Sequence, residues 1–254
     1  MNSLERSLIE KAGYDNGWEV VVVSNPGEVI LASALHRAEA RVTPSETGNW
    51  QLELPTGTLA RELNREIDES NPEASFTANR DAELGVLLNR AAKLARSLPN
   101  QPEIRYQEAV KEELSRTEIL QTEVERTVRQ RVGQNIFRES LLDFWDGACA
   151  VTGIRLPKLL RASHAKPWSE CSSDAERLNV FNGFLLAIHL DALFDQGLMT
   201  FDANGHAVYA NALELDTQSI LGLTPDLSLS RLAPEHLPFL RWHWQKFGYS
   251  LQGD

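Results

Sequence analysis

LLRASHAKPW, residues 159–168, runs from apolar and basic residues through two small ones to a single histidine, then stops on a Lys-Pro-Trp turn. That is the pattern of a short strand ending on an imidazole, and the neighbouring segments decide what the imidazole faces. Upstream, ACAVTGIRLPKLLRASH (148–164) reads as two short strands around Gly153 and Pro157. Downstream, NGFLLAIHLDALFDQG (182–197) turns helical toward its end, and LMTFDANGHAVYA (198–210) is a hairpin with Asn204-Gly205 as a type I′ turn. APEHLPFLRWHWQKFGY (233–249) closes the pattern as an aromatic helix, whose Trp242, Trp244 and Phe247 read as core rather than as a base-stacking platform.

The first hundred residues form a different pattern. After a short helix, WEVVVVSNPGEVILAS (18–33) joins two β-branched runs through Asn25-Pro26-Gly27, which is hairpin chemistry. NWQLELP (49–55) reads as another strand; TGTLARELNREIDE (56–69) and NRDAELGVLLNRAAKLARSL (79–98) carry the three-and-four spacing of amphipathic helices. PNQPE (99–103) breaks that spacing, and from Gln107 to about Phe144 the chain is charged and helical with an interruption at Gly133, as a connecting arm would be. The expected fold class is therefore α+β. It comprises an N-terminal α+β domain over 1–125, a helical connector, and a second domain over 126–254.

Composition excludes several classes. With 254 residues and 42% hydrophobic content the chain is globular, and no run reaches the roughly 18 to 20 apolar residues of a membrane span. MNSLERSLIEKAG carries acidic charge where a signal peptide carries basic charge, so a cytoplasmic protein is expected. Cys149 and Cys171 stand apart without a C-x-x-C, which supports neither a disulfide framework nor a structural zinc. The net charge of −11 disfavours adhesion of the whole surface to nucleic acid, yet the charge is uneven. Residues 1–127 hold 14 basic and 22 acidic residues, whereas 128–168 hold 7 basic and 3 acidic, a local net of +4 leading into His164.

Asp191 and Asp195 break local rules. If Leu190, Leu193 and Phe194 form a buried stripe, the two carboxylates look out from one side of a short helix, one turn apart, and like charges at that spacing cost about 0.2–0.5 kcal/mol. Asp195 also sits in the last turn before Gly197, where the helix dipole disfavours an anion by a further ~0.3–1 kcal/mol. A divalent cation between the carboxylates would reverse the sign of that electrostatic cost. In chain order the site then reads His164, Asn182, Asp191, with Asn182-Gly183 able to pin a turn.

The segment from about Arg131 to Gly205 resembles the HNH endonucleases, the ββα-metal nucleases. The resemblance rests on Arg131, Gly133-Gln134, Phe137-Arg138, Leu141-Leu142, Cys149, Val151-Thr152-Gly153, Ala162-Ser163-His164, Lys166-Pro167-Trp168, Asn182-Gly183, Leu190-Asp191, Leu193-Phe194-Asp195 and Gly197-Leu198. It extends more weakly to LRWHWQKFGY.

The resemblance implies a C-terminal ββα-metal domain and a DNA endonuclease, restriction or defence related by analogy. It implies His164 as general base, Asn182 as the scaffold of the facing loop, and Asp191 and Asp195 as ligands of one ion per site. Ser163 stands where many members place an Asp or His ligand. The oxygen-rich set favours Mg²⁺ or Mn²⁺ over a nitrogen-rich zinc site. His189 is near enough in sequence to be an extra ligand but is expected to turn away. Arg161, Lys166, Arg138 and Arg131 are the expected phosphate contacts. Double-strand cleavage would need two copies, so a homodimer is expected, and the acidic half 1–125 suits a sensor, recognition or dimerisation module switched by a small molecule or a protein. His36 and Trp18 could line a pocket there, with nothing to raise them above core. A non-catalytic binding protein with a degenerate site is the alternative. The nuclease reading expects the imidazole and both carboxylates to converge on one ion.

Overall fold

The computed structural model describes residues 1–45, 48–67, 74–79, 81–115 and 122–251. The chain divides into two compact units, Met1–Gln101 and Pro102–Asp254. The division falls in the first turn of a helix. Among the described residues no helix is long and apolar enough to cross a membrane.

The first unit opens with α1 (Ser3–Asp15), started by a capping box in which Asn2 and Glu5 satisfy each other's backbone N–H. Five short strands follow in one antiparallel sheet of order β1-β2-β3-β4-β5. These are β1 (Val20–Ser24), β2 (Val29–Ala32), β3 (Ala40–Pro44), β4 (Trp50–Glu53) and β5 (Ser75–Ala78). Helix α2 (Thr58–Ile67) intervenes between β4 and β5, and α3 (Asp81–Ser97) follows them. Val29, Leu31, Val42, Leu52 and Phe76 are buried, in the period of two that a sheet with one covered face requires. Two of these strands, β3 and β5, have no counterpart in the sequence reading. The 68–69 end of the second expected helix and residues 116–121 of the expected arm lie outside the described residues.

The second unit holds α4 (Gln101–Ser115), α5 (Thr122–Phe144), β6 (Leu160–His164), α6 (Asp174–Arg177), β7 (Gly183–Ala187) and α7 (Ile188–Asp195). After them come β8 (Met199–Phe201), β9 (Ala207–Tyr209), α8 (Leu215–Ile220) and α9 (Leu237–Phe247). The expected arm belongs to this unit: Tyr106 and Val110 of α4 are buried, and Arg105 pairs with Glu139 while Arg131 pairs with Glu113.

Gly133 does not interrupt α5. A Cβ there would meet the Trp168 ring at 2.1 Å, so the glycine makes room for an indole laid against the helix.

Residues 148–164 give one strand, not two, and the partner of β6 is β7, with Leu160 opposite Ala187 and His164 opposite Gly183. Helix α7 follows β7 directly, completing a ββα unit. In the β8–β9 hairpin Asn204 does not take positive φ. Gly205 alone does (+87°), after a turn closed by its own N–H on the Asp202 carbonyl, which is a type I turn with a bulge rather than type I′.

Candidate active site

The β6–β7 ladder sets two different environments side by side. Successive residues of a strand point to opposite faces. Ser163 is buried and its Oγ donates to Asp195 Oδ1 at 3.1 Å, on the α7 side. His164 stacks on Phe137 of α5 with ring centroids 3.7 Å apart.

Asp191 lies one turn before Asp195 on the same helix, and the nearby Ser163 hydroxyl partly offsets the burial of its carboxyl. Partial burial pushes the Asp191 carboxyl above the usual carboxylate range, and the charge of Asp195 adds to it. Asp195 is raised as well, through loss of water around its carboxyl. Arg161 is exposed and is the cation that offsets Asp191. His189 is exposed.

The end of α7 is held from behind by α9. Buried His243 donates from Nε2 to the Phe194 carbonyl (3.0 Å) and stacks on the Phe194 ring (4.1 Å). A carbonyl only accepts, so Nδ1 is the acceptor for the Thr200 hydroxyl at 3.0 Å. Burial pushes this imidazole down to about 4 and keeps it neutral. The Tyr249 hydroxyl donates to the Gly197 carbonyl (2.8 Å), and Trp244 Nε1 to Phe201 (2.8 Å). Trp244 is therefore core, as its spacing indicated, whereas Trp242 is half-buried and Phe247 is exposed. The fixing role of His243, Thr200 and Tyr249 carries no sequence signal beyond the aromatic stripe.

On the α5 side His164 Nε2 lies 2.9 Å from the carbonyl of Arg177, at the end of α6. Because that carbonyl must accept, Nε2 carries the proton and Nδ1 keeps a free lone pair. Burial pushes this imidazole down to about 4, so it is neutral at pH 7. Neither Phe137 nor Arg177 was singled out for this role by the sequence.

Asn182 is fully buried and fixes the loop between the strands. Its Oδ1 accepts from Lys166 N (2.8 Å), and its Nδ2 donates to the carbonyls of Lys166 (3.1 Å) and Glu176 (3.2 Å). Gly183 follows because a Cβ there would stand 2.2 Å from the Ser163 carbonyl oxygen.

Several sequence expectations need correction. Among the described residues no group of three or more His, Cys, Asp or Glu side chains is placed to hold a metal ion. Ser163 and Asp195 come together beside Asp191, whereas His164, the next residue of the strand, turns to the other face with Phe137. Arg138 and Lys166 are committed internally. Arg138 donates to the carbonyls of Leu160 and Pro157, both at 2.9 Å, and Lys166 pairs with Glu176 at 2.6 Å. Arg131 is engaged with Glu113. Of the four expected phosphate contacts, Arg161 alone is exposed without a carboxylate within ion-pair distance, its side chain bonding only the carbonyls of Lys158 and Leu160.

Two carboxylates and a hydroxyl form an oxygen donor set that fits a hard divalent cation, and their raised affinity for protons is what an incoming cation would relieve. Residues 149–202 match the family model described as HNH endonuclease, and that match supports nuclease-type function. Comparison with curated proteins finds no match.

Proposed function

With an HNH endonuclease domain over residues 149–202 as the premise, we propose that this protein is a divalent-metal-dependent DNA endonuclease in which His164 is the general base. The observation that carries this is the state of His164. A proton fixed on Nε2 by the Arg177 carbonyl leaves Nδ1 to take a proton from water, and burial keeps the ring neutral. Asp191 and Asp195, with the Ser163 hydroxyl between them, would hold Mg²⁺ or Mn²⁺, one ion per site. Such an ion, when bound, neutralises charge on the phosphoryl group and the leaving oxygen.

Asn182 pins the loop that supplies the Arg177 carbonyl, and so orients the imidazole without touching substrate. Arg161 is the phosphate contact nearest the carboxylates. The substrate phosphodiester is placed by this reading at the His164 end of the β6–β7 ladder. Restriction or defence is the role we assign, with the first unit as its sensor, recognition or dimerisation module and a homodimer cutting both strands.

The experiment is nicking of supercoiled plasmid with Mg²⁺, Mn²⁺ or EDTA. Metal-dependent nicking that Asp191→Asn together with Asp195→Asn removes is the expected outcome. A protein that neither nicks plasmid nor cleaves single-stranded DNA with any of these ions contradicts the reading. One observation favours a second reading, a nucleic-acid-binding protein with a degenerate site: the imidazole and the carboxylates occupy opposite faces of the hairpin. The same experiment separates the two, since the second reading expects DNA binding without nicking.

A further inference from the structure

On the His164 side of the hairpin the second unit contains a cavity of about 730 Å³, within the ~300–1,000 Å³ range of small-ligand sites. Tyr106 of α4, Arg126, Arg129 and Gln130 of α5, and Trp168 and Arg177 of the interstrand loop are among its walls. Its floor is built. Trp168 is seated on Gly133, where any larger residue would collide with the indole. The Arg177 guanidinium lies 5.7 Å from the centre of that ring and is anchored by the carbonyls of Trp168 and Cys171 and by Asp174.

The charges in the cavity nearly cancel. Arg129 is paired with Glu125 at 2.8 Å, and Arg177 with Asp174 at 3.0 Å. Arg126 is exposed and has no hydrogen bond or ion pair among the described residues. One uncompensated cation beside aromatic walls matches one phosphodiester and one base. It does not match the two negative charges of a free nucleoside monophosphate. Gln130 and Ser169 add an amide and a hydroxyl that could meet a base edge.

The cavity also shares its wall with the imidazole. The Trp168 ring lies 6.2 Å from the His164 ring, nearly perpendicular to it, and Arg177 supplies both a cavity wall and the carbonyl that fixes His164. We propose that this cavity takes one unpaired nucleotide of the DNA strand to be cut, with its base against Trp168 and its phosphate on Arg126, next to the phosphodiester presented to His164. The proposal rests on the nuclease reading for its substrate, and it makes unpaired or easily extruded bases the preferred sites.

The test uses the full chain in EDTA, so that binding is read without cleavage. A labelled duplex with a single-base bulge and the same duplex fully paired are compared by fluorescence anisotropy, with 2-aminopurine at the bulge reporting stacking. The bulged duplex should bind about tenfold more tightly. Arg126→Glu should erase that preference, Arg126→Lys should keep most of it, and a free deoxynucleoside monophosphate should not compete at equal nucleotide concentration. Equal affinity for the two duplexes, a preference unchanged in Arg126→Glu, or displacement by the free mononucleotide would each overturn the proposal. Intact bulge preference in a protein that neither nicks plasmid nor cleaves single-stranded DNA would sink the nuclease reading and leave the cavity assignment standing. Nicking without bulge preference would do the reverse.

Discussion

The two faces of the β6–β7 hairpin are built on opposite electrostatic terms. On the α7 face, two carboxylates one turn apart, one of them bonded by the Ser163 hydroxyl, are pushed toward their protonated forms, so the fold tolerates an unfavourable arrangement there. On the α5 face the imidazole is stacked, hydrogen-bonded and neutral. In the proposed function one face would hold the cation and the other would take the proton. That reading divides charge neutralisation and proton removal between the two sides of one strand, and assigns them to the adjacent residues Ser163 and His164 because a strand turns successive side chains in opposite directions.

The sharpest way to break this contrast is His164→Ala. Loss of a general base should lower the nicking rate by about 10²–10⁴-fold with the metal requirement unchanged, measured by single-turnover assays beside a thermal melt of the variant. Unchanged nicking would remove the base from this face.

The next effect is on stability. Burial pushes the imidazoles of His164 and His243 down to about 4 in the folded protein, from an ordinary 6.5. Their neutral forms therefore support the fold fully above pH ~6.5, and that support is lost as pH falls from there toward 4. The slope approaches ~1.4 kcal/mol per pH unit for buried His243 and is less for partly exposed His164. Urea midpoints measured between pH 7 and 4.5 should fall in this window, and a flat profile would contradict it.

The smallest effect has the opposite sign. The raised carboxyls are better tolerated protonated, so their favourable contribution exists at low pH and is lost as pH rises through their folded range. Asp191→Asn should therefore stabilise the metal-free protein at pH 7 by about 0.2–0.5 kcal/mol while removing cleavage. A lower melting temperature for that variant in EDTA would show that the pair is not strained.

How far the sequence discloses all this depends on whether a residue's partner is local. The carboxylate pair is legible because the repulsion acts within five residues of one helix, and the β1–β2 hairpin because its turn residues are adjacent. The face that His164 takes is not, since it depends on Phe137 and Arg177, which lie at a distance in sequence. Basic residues misled for the same reason: Arg138 and Lys166 look like free cations until the carbonyls of Leu160 and Pro157 and the carboxylate of Glu176 are brought to them. Gly133 looks like a helix break until an indole from residue 168 fills the space above it. In the first unit β3 ends on a proline, which weakens its sequence signal as a strand.

Calorimetric titration of Mn²⁺ into the wild-type chain, Asp191→Asn and His164→Ala tests the division of labour between the two faces most directly. The account predicts that His164→Ala binds Mn²⁺ as the wild type does while Asp191→Asn loses binding. Loss of the ion in His164→Ala, or its retention in Asp191→Asn, would contradict it.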